Sequence, residues 1–338
     1  MILIATDLPL VFTRGDAACH HLRRSRLDRM IARGEVRLVA PEHYAESVRW
    51  HLADRAERHL ALVAAAQSRY TRTVASHVSA ALLWNLPSPR VIQDLPDLTV
   101  DLEVRRSDDS DWARIRRCRL PRRHVTKING VEVTTLARTA VDCLRSLPFP
   151  DALAVADAVV GRGVTPGELA GIRREQSRWP GVRAARRGIG LVDGRRESWL
   201  ESASAATLYG WIERGTPQVE VYDHGELLGR ADVLWRGLKV VGEADGRGKF
   251  LGDFGGGADE RAVADRLIRA EERAGRMREA GLGVVRWGIG SVGSGQVLAA
   301  RIRAASPTGA CRATFLCAAC RCELDDCSCT PRLRLSGR

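Results

Sequence analysis

The spacing of apolar residues divides the middle of the chain into helices and strands. Residues 54–68 carry apolar side chains at helical intervals, which predicts an amphipathic helix. Strand-like alternation follows in three runs, at residues 98–104, 115–120 and 131–134. The pair Asn129-Gly130 before the last run is a turn signal, because both residues tolerate a positive φ. Helical spacing returns over 135–142 and 151–160, so we predict an α+β domain here.

Two short helices and a hairpin are predicted between residues 10 and 50. Thr13 and Asp16 can cap a first helix over residues 15–21, and Ser25 can cap a second over residues 26–33. Gly34 ends the second helix, and the short apolar alternation after it leaves room for a small β-wing. Two helices followed by a wing are typical of a winged helix-turn-helix.

Arginines supply the candidate chemistry of this segment. Arg26, Arg29 and Arg33 recur at helical spacing on the side opposite the apolar residues, and Arg23 and Arg24 precede them. We predict that the stripe enters the major groove of double-stranded DNA, while the flanking arginines contact phosphates. The alternative is a helical hairpin with a solvated charged face.

The same segment resembles the N-terminal DNA-binding domain of AbiEi-type antitoxins from abortive-infection systems. The matching residues are Phe12-Thr13-Arg14, Arg33-Gly34-Glu35 and Tyr44-Ala45. Glu42 and His43 depart from the pattern, because such proteins often have Arg-Gly there. The following region is similar to the second domain of that family through Ser76-His77 and Ala137-Arg138-Thr139. The resemblance implies a protein that represses its own promoter and counters a nucleotidyltransferase toxin.

In this middle region, the polar residues considered for a functional or structural role are His77, Arg138 and Asp142. A lone histidine at the start of a helix favours a structural residue over a catalytic base. Arg138 and Asp142 are four residues apart, so we predict that they pair on one helix face.

A helix followed by turn-linked strands is predicted from residue 195 onwards. Glu197 and Glu201 are four residues apart and are predicted to share one face of that helix. Residues 223–226 and 236–237 are turn signals. Residues 176–196 are rich in Arg, Gly and Ser, which predicts a basic linker helix with a domain boundary near Asp193-Gly194.

The second turn permits a geometric prediction about carboxylates. If Arg236 and Gly237 are its two central residues, Asp232 lies opposite Val241 and diagonal to Glu243. Asp245 then falls on the same face as Glu243, because strand side chains alternate. Clustered carboxylates repel one another without a cation, and oxygen-rich sites suit Mg²⁺ or Mn²⁺. The alternative is a set of surface carboxylates on a solvated hairpin.

This order of elements resembles the PD-(D/E)XK nuclease fold. More narrowly, residues 243–246, a long charged helix and residues 284–287 are similar to the branch related to very-short-patch-repair endonucleases. The resemblance implies that Asp232 and Glu243 hold a metal ion, supported by Glu201. Asp245 stands where that family usually has Lys, and Lys249 is the candidate that reaches back. This departure leaves catalysis open.

Composition favours a polyanionic partner and a cytoplasmic location. The 338 residues carry a formal net charge of +12, which is typical of proteins that bind nucleic acid. No apolar run approaches the ~18 residues of a transmembrane helix, so no membrane partner is expected. The apolar N-terminus lacks a basic start and contains Asp7 and Pro9, which argues against a signal peptide.

Six of the nine cysteines lie in the last 28 residues. Cys317-x-x-Cys320 has zinc-knuckle spacing, and Cys327-x-Cys329 could complete four thiolates. These four lie within 13 residues, tighter than usual zinc ribbons, and little apolar sequence surrounds them. We therefore expect a disordered tail of reduced thiols without Zn²⁺, whose removal leaves the fold intact.

Together the patterns predict an α/β multi-domain protein. Its four parts are a winged helix at residues 1–50, an α+β antitoxin-like domain with a basic linker at 51–190, a restriction-endonuclease-like α/β domain at 191–292 and the tail at 293–338. The predicted function is that of a bacterial DNA-binding antitoxin and autorepressor, with double-stranded DNA and a nucleotidyltransferase toxin as partners. The alternatives are a Mg²⁺-dependent DNA endonuclease targeted by the winged helix, and a binding protein whose nuclease-like fold is inert.

Overall fold

The structure, a computed structural model, describes residues 8–87, 95–103, 111–245 and 260–325, together with Cys327 and Cys329; the side chains of 260–264, 266 and 267 fall outside that description. The chain divides into two units, Met1–Ser146 and Leu147–Arg338. Both contain helices packed on mixed or antiparallel sheets, which agrees with the predicted α/β multi-domain class. In the described ranges, no helix combines the length and apolar character needed to cross a membrane.

The first unit begins with short helices and a small sheet. Its elements are β1 (Phe12–Thr13), α1 (Arg14–Cys19), α2 (Arg24–Ala32), β2 (Val36–Ala40), β3 (His43–Glu46) and α3 (Ser47–Leu52). The sheet is antiparallel, in the order β1-β3-β2. The backbone N–H of Asp16 donates to Thr13 Oγ1, which starts α1 as predicted. The predicted cap at Ser25 is wrong, because α2 begins at Arg24 and contains Ser25.

The rest of the first unit is a five-stranded sheet with helices packed on it. Its elements are α4 (Arg55–Arg69), β4 (Thr73–Ala75), α5 (His77–Leu83), β5 (Asp97–Asp101), β6 (Arg114–Cys118), β7 (Val125–Ile128), β8 (Val131–Thr134) and α6 (Leu136–Ser146). The strand order is β6-β5-β4-β8-β7. Asn129 and Gly130 have φ of 48° and 84° and join β7 to β8, which confirms the predicted turn.

Helices α5 and α6 carry a buried polar network. Arg138 Nε donates to Asp142 Oδ2 at 2.7 Å, so the predicted pair forms, although both side chains are buried rather than on a solvated face. Arg145 Nη1 donates to the other carboxylate oxygen at 3.2 Å. His77 is also buried, has a φ of 52° and shares a hydrogen bond with Ser76. Burial lowers the pKa of His77 to about 4, which keeps the ring neutral and fits a structural role.

The second unit is built on another five-stranded sheet. Its elements are α7 (Phe149–Gly161), α8 (Pro166–Glu175), α9 (Val182–Leu191), α10 (Trp199–Leu208), β9 (Thr216–Asp223), β10 (Glu226–Trp235), β11 (Val240–Ala244), α11 (Glu260–Glu279), β12 (Gly283–Trp287), α12 (Gly295–Ala304) and β13 (Thr314–Cys317). The strand order is β12-β11-β10-β9-β13, with β11 and β12 parallel and the other pairs antiparallel. Two apolar clusters hold the sheet, one shared with α10 and α12 and the other with α11.

The segment around the predicted boundary at Asp193-Gly194 is packed inside the second unit. Arg196 Nη1 donates to Asp157 Oδ2 at 2.8 Å, and both side chains are buried. Gly194 lies so close to Gly161 of α7 that a Cβ there would meet a backbone nitrogen at 2.7 Å. The division between the units instead falls after Ser146.

The connection between β10 and β11 is longer than predicted. Arg236–Leu238 form a 3₁₀ turn and Lys239 has a φ of 53°, so four residues make the turn instead of two. Trp235 therefore pairs with Val240, and Leu234 with Val241. The predicted pairing of Asp232 with Val241 is wrong by two positions. The first turn is confirmed, since His224 and Gly225 adopt φ of 49° and 83° between β9 and β10.

The cysteine-rich tail is ordered in its described part, which corrects the expectation of disorder. β13 adds to the edge of the sheet by pairing with β9, where Phe315 lies opposite Val221. Phe315 and Leu324 pack against the apolar cluster that includes Met277 of α11. The tail looked too polar to fold by itself, and its order comes from a sheet edge that a local pattern does not reveal.

Candidate functional site

The five predicted DNA-contacting arginines lie on or just beside α2. Arg23, Arg24, Arg26, Arg29 and Arg33 are all exposed. Arg29 Nε donates to the carbonyl of Ser25 in the same helix at 3.3 Å, and Arg33 lies 3.8 Å from Glu35. Among the residues that the structure describes, no carboxylate oxygen comes within 4.0 Å of the guanidinium groups of the four arginines other than Arg33. This surface is therefore positive and open.

Neighbouring residues fix the orientation of α2. Leu27 and Met30 are buried and attach the helix to the small apolar core of this segment. Arg14 pairs with Asp28 at 2.7 Å, and its guanidinium carbon lies 5.4 Å from the centre of the Tyr44 ring. These contacts give the Arg14 side chain a structural role within this segment. Exposed Arg37 on β2 adds a positive charge to the small sheet, which the sequence pattern did not single out.

An arginine-rich cavity of about 980 Å³ lies in the second unit. Its basic lining residues are Arg173, Arg183, Arg186, Arg187, Arg196 and Arg214. Trp235 and Trp287 line it as well, together with Glu201 and Asp232. From the sequence, part of this Arg-rich stretch was predicted to be a linker. One pattern in the sequence could have indicated the basic wall of the cavity. The spacing of Arg183, Arg186 and Arg187 places these three side chains on the same face of α9.

Glu201 is held by the start of α10. Ser198 caps the helix and donates its hydroxyl to Glu201 Oε1 at 2.7 Å, and Gln218 Nε2 donates to Oε2 at 2.9 Å. Burial raises the pKa of Glu201 and the nearby charge of Asp232 raises it further, while these hydrogen bonds lower it. Glu197 precedes α10, so the two glutamates do not share a helix face as predicted; its side chain pairs with Arg230 at 2.7 Å.

The carboxylates of Asp232 and Glu243 have different partners. Asp232 Oδ2 accepts the backbone N–H of Ala244 at 2.7 Å, which ties β10 to β11. Glu243 is buried and paired with two cations, Arg273 of α11 at 2.7 Å and Arg286 of β12 at 2.9 Å. Guanidinium groups thus surround the carboxylate that was predicted to bind a metal ion.

Gly229 makes room for one of these pairs. A Cβ at Gly229 would lie 2.4 Å from Arg273 Cδ, and the strand pairing is irregular at this point. Asp245 follows β11, and its backbone N–H donates to the carbonyl of Trp287 at 2.8 Å. Lys249, the remaining predicted residue, lies outside the described residues.

The structure brings Asp232 and Glu201 to one cavity, and no three of the predicted carboxylates that it describes are placed to share one ion. Within the described part of the chain, the only group of three or more His, Cys, Asp or Glu side chains placed to share one ion is a cysteine cluster. Its members are Cys317, Cys320, Cys327 and Cys329, whose sulfur atoms all lie within 4.8 Å of one another. This group could bind a metal ion, whereas the sequence led us to expect none there.

The four clustered cysteines are free thiols, as are the other five in the chain. Burial raises the pKa of Cys317, but backbone N–H groups of Cys320 and Ala319 donate to its sulfur and lower the pKa to about 6. Hydrogen bonding with Cys320 and burial raise the pKa of Cys329 to about 12. Cys320 Sγ and Cys327 Sγ lie 3.5 Å apart, close enough for a thiol of one to hydrogen-bond to the other.

Comparison with known proteins gives a partial relationship. No family model matches the chain. Two Mycobacterium tuberculosis proteins, Uncharacterized protein MT2308 of strain CDC 1551 / Oshkosh and Uncharacterized protein Rv2248 of strain ATCC 25618 / H37Rv, are each 31% identical to it over 122 residues. The match covers 35% of this chain and 44% of either relative, so the chain spans less than half the length of these proteins.

Proposed function

We propose that this chain is a DNA-binding protein whose N-terminal helices and wing dock on the major groove. The observation that carries the proposal is the set of exposed arginines at α2: Arg26, Arg29 and Arg33 lie along one side of the helix, and Arg23 and Arg24 flank its start. Buried Leu27 and Met30 direct the opposite face into the core, so the arginines project outward together.

Charge supports a nucleic acid as the partner of this face. Guanidinium groups bind phosphates and the O6 and N7 atoms of guanine, and each neutralised phosphate releases counterions. A formal net charge of +12 adds long-range attraction to a polyanion. Exposed Arg37 on the proposed wing would add a contact to the DNA backbone beside the groove.

The resemblance to AbiEi-type antitoxins indicates which DNA and which partner to test. The candidate DNA is the promoter of the chain's own operon, which the protein would repress. The candidate protein partner is a nucleotidyltransferase toxin, which it would counter. A bacterial gene neighbour of that class would support this proposal.

Binding to the upstream promoter DNA, measured by fluorescence anisotropy over a range of salt, tests the proposed interface. The double variant Arg26→Ala/Arg29→Ala should weaken binding by about 1–3 kcal/mol for each base that is no longer contacted. It should also flatten the salt dependence for each phosphate that is no longer neutralised. Arg122→Ala is the matched control, because Arg122 is an exposed arginine elsewhere in the same unit. Equal binding by the wild type and the double variant would exclude the α2 surface.

A Mg²⁺-dependent endonuclease is the second candidate function. It is favoured by the cavity in which Glu201 and Asp232 lie among arginines that can bind phosphates. Mg²⁺ would be held by Asp232 and Glu243 and would activate water for attack on phosphorus. To bind there, the ion has to displace Arg273 and Arg286 from Glu243.

Cleavage assays and thermal melts separate this candidate from a binding protein with an inert site. An endonuclease should cut double-stranded DNA with Mg²⁺ or Mn²⁺ and gain thermal stability from the ion, and Asp232→Asn should abolish both effects. Asp325→Asn, at an exposed acid of the same unit, is the control. A wild-type melt that ignores both ions, without cleavage of any DNA, would exclude the enzyme.

A further inference from the structure

Four cysteine sulfur atoms gather at the edge of the second unit's sheet. Those of Cys317, Cys320, Cys327 and Cys329 lie within 4.8 Å of one another, and Cys320 and Cys327 are 3.5 Å apart. A disulfide would bring two sulfur atoms to about 2.0 Å, and none joins these four residues. Four thiolates around one tetrahedral Zn²⁺, each about 2.3 Å from the ion, lie about 3.8 Å apart. The observed spacing therefore suits a four-coordinate metal site.

Local backbone structure holds the first two ligands. Cys317 is the last residue of β13, and the N–H of the next residue, Ala318, donates to the carbonyl of Gln218 in β9 at 3.1 Å. Backbone N–H groups of Ala319 and Cys320 donate to Cys317 Sγ. These hydrogen bonds fix the Cys317 sulfur beside the turn at residues 318–320, which carries the second ligand.

The second pair of cysteines returns to the same point by strand pairing. Glu323 forms an antiparallel bridge with Leu316, so the chain doubles back along β13 before Cys327. Cys327 is buried, and Arg195 Nη1 lies 3.9 Å from Cys317 Sγ. A nearby guanidinium offsets part of the negative charge that four thiolates and one divalent ion carry together.

The number and type of ligands determine the metal and its role. Soft thiolates select Zn²⁺ over hard cations such as Mg²⁺, and four protein ligands leave no open position for substrate. Residues 318–329, which include three of the four cysteines, contain few large apolar side chains, so they contribute little to a hydrophobic core. A bound ion supplies the free energy that this segment otherwise lacks.

We propose that Cys317, Cys320, Cys327 and Cys329 bind one Zn²⁺ in a closed structural site that fastens β13 to β9. By holding β13 in place, the ion keeps the backbone groups of β9 paired with β13 and so prevents them from pairing with other chains. This proposal is independent of DNA binding and cleavage.

The first experiment measures metal content in the full chain, purified without chelators. Elemental analysis should find one Zn²⁺ per chain, and Co²⁺ exchanged into the site should show the visible absorption of tetrahedral cobalt thiolate. Cys329→Ser should lose the ion or bind it much more weakly. Cys322→Ser is the matched control, since Cys322 lies in the same loop but outside the cluster, and it should retain full Zn²⁺.

The second experiment asks whether the ion holds the strand. Removing Zn²⁺ with a chelator should speed hydrogen exchange of β13 amides by about tenfold or more, while β10 and β11 stay protected. A protein that binds no metal would overturn the site, and iron in place of zinc would overturn the choice of metal. Equal loss of metal in Cys322→Ser and Cys329→Ser would overturn the assignment of the ligands. Unchanged exchange in β13 after zinc removal would overturn the structural role.

Discussion

Glu243 of β11 and Arg286 of β12 are register partners in a parallel strand pair, and Arg286 Nε donates to Glu243 Oε2 at 2.9 Å. Arg273 reaches the other carboxylate oxygen from α11 at 2.7 Å. One buried carboxylate therefore links two strands and a helix. Any metal ion at Glu243 has to compete with this ion-pair network.

Replacing Glu243 by Gln should destabilise the second unit. The variant leaves two partly buried guanidinium groups beside a neutral amide, which we expect to cost about 1–2 kcal/mol of unfolding free energy, allowing for solvent around both arginines. Urea denaturation measures the change. Glu226→Gln is the control, because Glu226 pairs with Arg276 at an exposed position, and its effect should stay within about 0.5 kcal/mol. Equal losses in the two variants would contradict a role for the buried network.

Gly242 should resist even a single added methyl group. A Cβ there would lie 2.5 Å from Trp287 Cη2 and 2.8 Å from Trp235 Cζ3, so Gly242→Ala overpacks the contact between the two indole rings. We expect a loss of about 1–3 kcal/mol in thermal or urea unfolding. Gly275→Ala should instead raise the unfolding free energy by about 0.5–1 kcal/mol. Gly275 lies inside α11, and a Cβ added there would have no neighbouring atom within 4 Å. Two changes of the same sign would refute this packing.

The pair of Arg138 and Asp142 should respond more to the loss of one partner than to replacement of both. Asp142→Asn removes the carboxylate that pairs with the fully buried Arg138, which we expect to cost about 3–5 kcal/mol in the first unit. Arg138→Met/Asp142→Leu removes both charges of the pair and should cost less than the single change, as measured by chemical denaturation, because Arg145 loses its Asp142 partner in both variants. Glu132→Gln, beside exposed Arg122, is the control and should be nearly neutral. A double variant that is less stable than Asp142→Asn would contradict the argument.

His77 should make the first unit less stable in acid. Its pKa is lowered to about 4, chiefly by burial, although Asp142 and Asp97 act in the opposite direction. The unfolded chain takes up a proton near pH 6.5 and the folded chain does not, so this contribution is complete above that pH and is lost as pH falls towards 4. The loss amounts to about 3 kcal/mol.

The variant His77→Asn isolates this contribution, because Asn tolerates the positive φ of that position. Unfolding free energies at pH 7 and pH 4.5 should differ less in the variant than in the wild type, by up to about 3 kcal/mol. His21→Asn is the matched control, since His21 has a φ of 60° but is exposed. Identical pH dependence in His77→Asn and the wild type would show that the histidine does not control acid stability.

Features that depend on neighbouring residues were predictable from the sequence. The turns at Asn129-Gly130 and His224-Gly225 form because those residues tolerate positive φ, and a capping box between Thr13 and Asp16 starts α1. The helix over 54–68 was found as α4, since amphipathic spacing is a local property. The outward stripe of arginines on α2 follows from the same periodicity. In each case the interacting groups lie within a few residues of one another.

Tertiary structure decided what depends on distant partners. Arg273 and Arg286 reach Glu243 from elements 30 and 43 residues away, so the charge around that carboxylate was not visible in its own strand. The register of Asp232 depends on a 3₁₀ turn, and a turn signal at Arg236-Gly237 does not reveal how many residues follow it. Packing against α7 places the Asp193 segment inside the second unit. The tail becomes ordered because the edge of β9 accepts β13, and this pairing together with the bridge between Leu316 and Glu323 brings the four cysteines to one point.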